Sequence, residues 1–287
     1  MSLGLNKTKH RILSVKSTQK ITKAMEMVAT VKLKKFKDAM DQNALFASEL
    51  EQQMADLFAH DLAAGTHYGK LNPDAHGNLY IVISSNLGLC AGYNNNLFKY
   101  VDTLLTPNDT IAPIGSKGLA HYQHDEKYQR LSTGYAELNL SIEASEIEKM
   151  ALQIKDQFNQ GRYQRIILVY TKYINSLNFE PTSYQMLPVN LSYTPAPEED
   201  YCPPVYEPSA RTMIHSLMPY YLASVFYSKL VEAELSEQAS RRTAMDSAND
   251  NADELIDKLT VEYNKARQNA ITQQITEVVS GSNAQNQ

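Results

Sequence analysis

Two stretches without helix breakers open and close this chain, and they constrain its fold more than anything between them. Residues 1–60 hold no proline and one glycine, Gly4, and are rich in Ser, Thr, Lys, Ala, Met, Leu and Gln. That composition predicts one continuous helix. Residues 209–281 predict a second helix, with Pro219 placed either to start its main segment or to kink it. A helix across 1–60 is ~90 Å long at ~1.5 Å per residue, more than a compact domain of this size needs. A chain that leaves along one long helix and returns along another can pair its two ends antiparallel.

The apolar pattern supports such a pairing. Near the start it reads Ile21, Met25, Val28 and Val31, then Leu33 and Phe36. From Leu33 it continues through Phe36, Met40, Ala47, Leu50, Met54 and Leu57 in steps of three, four and seven, with Asn43 as the exception. In the last segment the predicted seam is Met245, Ala248, Ala252, Leu255, Leu259, Tyr263, Ala266 and Ala270. Many of these positions are alanine, and small seam residues let two helix axes approach closely. The expected coiled-coil contacts are therefore Phe36 and Met40 on one helix and Met245, Ala252, Leu255, Leu259, Ala266 and Ala270 on the other.

Between the helices, Gly65, Gly69, Pro73 and Gly77 mark a linker. Residues 75–195 then alternate strand and helix. NLYIVISS (78–85) and RIILVYTKY (165–173) read as central strands, and TIAPIGSKG (110–118) as a short strand and turn. Residues 93–105 and 141–161 read as helices, the second stopping at Gly161. The alternation implies a small layered α/β domain. Residues 195–208 form a proline-rich exit. The expected organisation is a helix at 1–60, an α/β domain at 75–195 and a helix at 209–281 that pairs with the first.

Several function classes are disfavoured at this level. The 287-residue chain has a formal net charge of −5, so the strongly basic face of its first helix is local. A nucleic-acid binder using residues 7–37 as a basic helix is the alternative that this face raises. The apolar stripe in the same helix argues against it. No apolar run is long enough to span a bilayer, and the N-terminus lacks a secretory h-region. Two cysteines, Cys90 and Cys202, fit a reducing compartment without a disulfide framework. GLCAG (88–92) follows a strand but lacks both the GxGxxG and the Walker A spacing, so Gly88 and Gly92 read as a tight turn. GSKG (115–118) also reads as a turn. Cys90 reads as a buried thiol. His121 and His124 lack partner ligands, so no metal site is expected. No cofactor is expected either, and a Rossmann-type enzyme lacks both the glycine fingerprint and a catalytic cluster.

Three segments carry a resemblance: TQKITKAMEMVATVKL (18–33), GLCAGYNNNL (88–97) and RRTAMDSANDNADELIDKLTVEYNKARQNAITQQITEVVSG (241–281). Together they are similar to the gamma subunit family of F-type ATP synthase, with a weaker match at PIGSKG (113–118). The resemblance implies a fold of α/β plus long α-helices: an antiparallel coiled coil of the N- and C-terminal helices with a central Rossmann-like α/β domain. It implies a central-stalk rotor that transmits torque between an ion-driven c-ring and the alpha/beta catalytic hexamer, with no catalytic site of its own. The implied partners are the alpha, beta and epsilon subunits and the membrane c-ring. The implied location is peripheral, at the cytoplasmic face of a bacterial membrane.

Carried over residue by residue, the resemblance assigns contact with the beta subunit to Lys20, Lys23, Met25, Arg267 and Gln268. Lys32, Lys34 and Lys35 also match basic positions that face acidic loops of beta. The sequence departs from the family in places. SNLGLCAG (85–92) stands where the family usually reads SDRGLCGG, so Asn86 and Leu87 replace a charge pair and Ala91 replaces a glycine. The end, SNAQNQ (282–287), is polar where the family is small and apolar. The cysteine pair of the chloroplast redox switch has no counterpart. A bacterial form is implied, with a processed mitochondrial chain left open.

Overall fold

The computed structural model describes residues 2–61, 67–72, 74–123, 131–132, 143–190 and 206–285. Its elements are α1 (Ser2–Asp61), a 3-10 turn (His67–Gly69), β1 (Leu79–Ile83), α2 (Tyr93–Leu104), β2 (Thr110–Ile114), α3 (Ser116–Tyr122), α4 (Ala144–Asn159), β3 (Ile166–Tyr173), β4 (Phe179–Leu187) and α5 (Ala210–Gln285). The two long helices expected from composition are both present. α5 runs through Pro219 instead of beginning there. Gly65, Pro73, His124, Cys202, residues 141–142 and the proline-rich exit up to residue 205 lie outside the described residues. The chain divides into two compact units, Val31–Ser240 and Met1–Thr30 with Arg241–Gln287.

The larger unit is built on a four-stranded sheet of order β2-β1-β3-β4. β1 is parallel to both β2 and β3, whereas β4 is antiparallel to β3. The inner strands alternate between two apolar layers. Leu79, Ile81, Ile83, Ile166, Leu168 and Tyr170 face one core with α4, the end of α1 and the first half of α5. Tyr80, Val82, Ile167 and Val169 face the other, with Leu97, Phe98 and Val101 of α2 and Tyr122 of α3. This is the Rossmann-like layering, with helices on both faces of a mostly parallel sheet. Prolines occur only in the edge strands, Pro113 in β2 and Pro181 in β4, where a missing N–H costs least. β4 had no expectation from sequence because half-exposed FEPTSYQML lacks the apolar run of its neighbours.

The same helical arithmetic places the flanking helices. Ile147, Met150, Ile154 and Phe158 are buried along α4, which ends at Asn159, two residues before Gly161 with φ +69°. GSKG is not a turn: Ser116 begins α3. Only Gly115 carries the reversal, with φ +90° and a backbone so close to the Ser84 carbonyl that a Cβ would collide with it. Tyr170, Tyr184 and Tyr221 lie in the same core, and burial pushes all three hydroxyls above their ordinary range. They therefore enter this core as neutral groups.

The smaller unit is a helix pair. Its α1 seam runs Leu5, Thr8, Ile12, Val15, Gln19, Thr22, Glu26 and Ala29, all buried or half-buried in steps of three and four. On α5 the seam is Met245, Ala248, Asn249, Ala252, Leu255, Ile256, Leu259, Tyr263 and Ala270. Asn249 meets Gln19, Thr22 and Glu26 by hydrogen bonds. With Asn249 beside Thr22 and the helices antiparallel, α1 runs out opposite residue 270. Every residue from 271 to 280 is exposed, as that pairing requires.

Two expectations about the seam need correction. Ile21, Val28 and Val31 do not face the partner helix; each is more than half exposed. The seam instead uses smaller and more polar neighbours one residue away. Ala266 is also exposed, whereas Met245, Ala252, Leu255, Leu259 and Ala270 do lie on the buried side. In the larger unit Phe36 and Met40 are half-buried.

Candidate partner-contact surface

The chemistry displayed by the helix pair begins with charge. Residues 1–37 hold nine lysines and Arg11 against one acid, Glu26. Glu26 accepts a hydrogen bond from Asn249 Nδ2 at 2.7 Å, so it points along the seam and leaves the outer face of α1 cationic. Lys20 and Lys23 are exposed there, as are Lys32, Lys34 and Lys35 farther along α1. Met25 is half-buried between seam and surface. Arg267 and Gln268 are exposed on α5, on the last turns that have α1 opposite them.

Apolar side chains share this outer face. Leu13, Ile21, Met27 and Val28 of α1 are all more than half exposed, with Met27 at 64%. On the part of α5 in the helix pair, the exposed set is Val261, Ile271, Ile275, Val278 and Val279. Ile271, Ile275, Val278 and Val279 recur at helical spacing on the segment that outlasts α1. Single exposed hydrophobics are ordinary, but here they recur along both helices beside the lysines. Sequence reading missed this division because it gave the largest side chains to the partner helix. The signal was present: Leu13, Ile21 and Val28 follow a frame offset from Leu5, Ile12 and Ala29.

In the larger unit an open groove of about 450 Å³ follows α1 past Val31, Lys34, Lys35, Asp38, Ala39 and Gln42. Its lining has no convergent catalytic groups. The loop after β1 is structural. Cys90 is buried, with Sγ 3.5 Å from Asn94 Nδ2 and 3.9 Å from Ser85 Oγ. Its carbonyl accepts a 2.7 Å bond from Ser240 Oγ, tying the loop to α5 within this unit. The tight turn is there, but the left-handed residues are Leu89 (φ 62°) and Ala91 (φ 47°), not Gly88 and Gly92. Among the described residues no group of three or more His, Cys, Asp or Glu is arranged to hold a metal. No helix among them is long and apolar enough to cross a membrane.

Comparison with known proteins gives this surface its context. The family model described as ATP synthase matches residues 4–285. The ATP synthase gamma chain of Mesoplasma florum is 32% identical over 281 residues, covering 98% of each chain. That of Mycoplasma mobile is 36% identical, covering 97% of this chain and 98% of its own. The chain belongs to the ATP synthase gamma chain family. Among solved structures, the rotor of the Euglena gracilis mitochondrial ATP synthase superposes with a TM-score of 0.64 at 18% identity. It covers 94% of this chain and 100% of that one, and at such low identity it speaks for the fold alone. Membership in the gamma chain family selects the central-stalk reading over the nucleic-acid reading of the basic helix.

Proposed function

We propose that the helix pair of this gamma-family chain is the shaft on which an alpha/beta hexamer acts. The chain is a central-stalk subunit of ATP synthase, and its work is mechanical coupling. Lys20, Lys23 and Met25 on α1, with Arg267 and Gln268 on α5, contact the beta subunits. The Rossmann-like unit carries the contacts to epsilon and the c-ring, which hold the chain peripherally at the cytoplasmic face of the membrane. It has no catalytic site of its own. ATP chemistry belongs to the hexamer, and this chain determines when each site can open.

The observation that carries this reading is the outer face of the helix pair, where lysines alternate with exposed Leu13, Ile21, Met27 and Val28. Exposed ion pairs contribute only ~0–1 kcal/mol each. Contacts of that strength can be broken and remade as the shaft turns, while the apolar side chains exclude water from each successive interface.

The test uses the chain assembled with its alpha and beta partners. Arg267→Ala and Gln268→Ala should leave the thermal midpoint of the free chain unchanged and lower ATP turnover by the complex. Wild-type turnover in both variants would remove these residues from the mechanism. Turnover by the purified chain alone would defeat the non-catalytic assignment.

A further inference from the structure

The helix pair contains one polar layer that an apolar seam does not need. Asn249 is 5% exposed, and its hydrogen-bonding groups are directed at α1. Its backbone carbonyl accepts from Gln19 Nε2 at 3.5 Å, its Oδ1 accepts from Thr22 Oγ1, and its Nδ2 donates to Glu26 Oε2 at 2.7 Å. Gln19 is itself buried. One residue of α5 is thus read by three residues of α1 spaced over two turns.

The rest of the seam is poor at specifying position. Ala29, Ala248, Ala252 and Ala270 are small, while Ile12, Val15, Leu255, Ile256 and Leu259 are interchangeable apolar side chains. Sliding the antiparallel helices by one heptad pairs apolar with apolar again. It also places Asn249 opposite Ile12, Val15 and Gln19, or opposite Glu26 and Ala29, and so removes two of its three native partners from reach. Within the helix pair itself, the polar layer is the feature that most separates the native alignment from its neighbours. A buried asparagine in a helical seam fixes register at a cost in stability.

We propose that Asn249 is a positioning residue that sets the axial register of the helix pair. One heptad of slip would carry α5 about 10 Å along α1. Arg267, Gln268 and the exposed apolar positions beyond them would then stand at the wrong height relative to Lys20 and Lys23. The inference concerns the free chain and holds whatever the shaft engages, so it stands apart from the proposed function.

The test is a distance measurement in the full-length chain. Spin labels go on Lys9→Cys and Asp246→Cys, both exposed, in a Cys90→Ala, Cys202→Ser background. These positions are offset along the pair, so a heptad of slip changes their separation by on the order of 10 Å. With Asn249 present, one narrow distance is expected. Asn249→Leu should melt at or above the parent temperature and add a second distance population. Asn249→Asp sets a carboxylate against Glu26 and should broaden the distribution, and adding Glu26→Gln should restore a narrow one by supplying the donor from the other side. A single unshifted distance in the Leu variant overturns the proposal, even where the melting temperature falls. Failure of Glu26→Gln to repair the Asp variant overturns it as well, and that pair of variants decides the matter should the Leu variant not fold.

Discussion

The two units of this chain are held together in different ways. In the larger unit the sheet is sealed on both faces: Leu79, Ile81, Val82, Leu168 and Val169 are all at 0% exposure. In the helix pair, the buried side chains among the described residues are Ala29, Met245 and Leu259, with the polar Gln19, Arg241 and Asn249. Two helices alone can enclose only a narrow seam, so the larger apolar residues remain outside. One unit completes its own core. The other is a core that lacks its remaining walls, which fits a part built to be surrounded.

The largest expected effect follows from this contrast. Phe158→Ala in α4 removes a ring packed under the sheet and should cost ~3–5 kcal/mol, whereas Leu259→Ala in the helix pair should cost only ~2 kcal/mol, because a thin seam can collapse around the gap. Urea denaturation of the free chain reads both. Equal losses would show that the helix pair is packed as tightly as the sheet, and the comparison would fail.

The same contrast explains what could be read from the amino-acid sequence. The long helices were legible because residues 1–60 lack breakers, and β1 and β3 because a strand buried on both faces is apolar throughout. β4 was not legible, because an edge strand with one wet side carries no such run. The outer face of the helix pair was legible only in part. Lys20, Lys23, Arg267 and Gln268 stand on the outer face, but Ile21, Val28 and Val31 were assigned to the seam because periodicity cannot say which of two apolar stripes meets the nearer partner. Ala266 failed for a related reason: a heptad register carried forward as an ideal repeat drifts away from the actual seam. Asn249 was overlooked because a polar residue within an apolar pattern reads as an interruption.

A smaller effect sharpens the boundary between seam and surface. Ala252→Leu inserts bulk where two helices meet and should cost ~1–3 kcal/mol. Ala266→Leu adds the same atoms on the open side and should change stability by less than ~0.5 kcal/mol. Thermal melts of the free chain separate the two. A large loss at Ala266 would mean that the seam extends farther around α5 than its exposure indicates. Loss of assembly with alpha and beta at unchanged stability would instead mark Ala266 as part of the outward contact.

The smallest effect concerns strain, which the two units also distribute unequally. Leu89 and Ala91, the non-glycine residues with positive φ among those described, both lie in the loop after β1. That loop is tied down: Ser85 Oγ donates to the Leu87 carbonyl at 2.7 Å, Asn94 Nδ2 donates to Ser85 Oγ at 2.7 Å, and Ser240 holds the Cys90 carbonyl. A left-handed alanine costs ~1–2 kcal/mol relative to glycine. Glycine gives back ~0.4–1 kcal/mol through the freedom it adds to the unfolded chain. Ala91→Gly should therefore stabilise the larger unit by a net ~0.5–1 kcal/mol, read as a higher urea midpoint at constant slope. A lower midpoint would mean that the Ala91 methyl makes packing contacts worth more than the strain it imposes, and that the loop is held by its side chains more than by its hydrogen bonds.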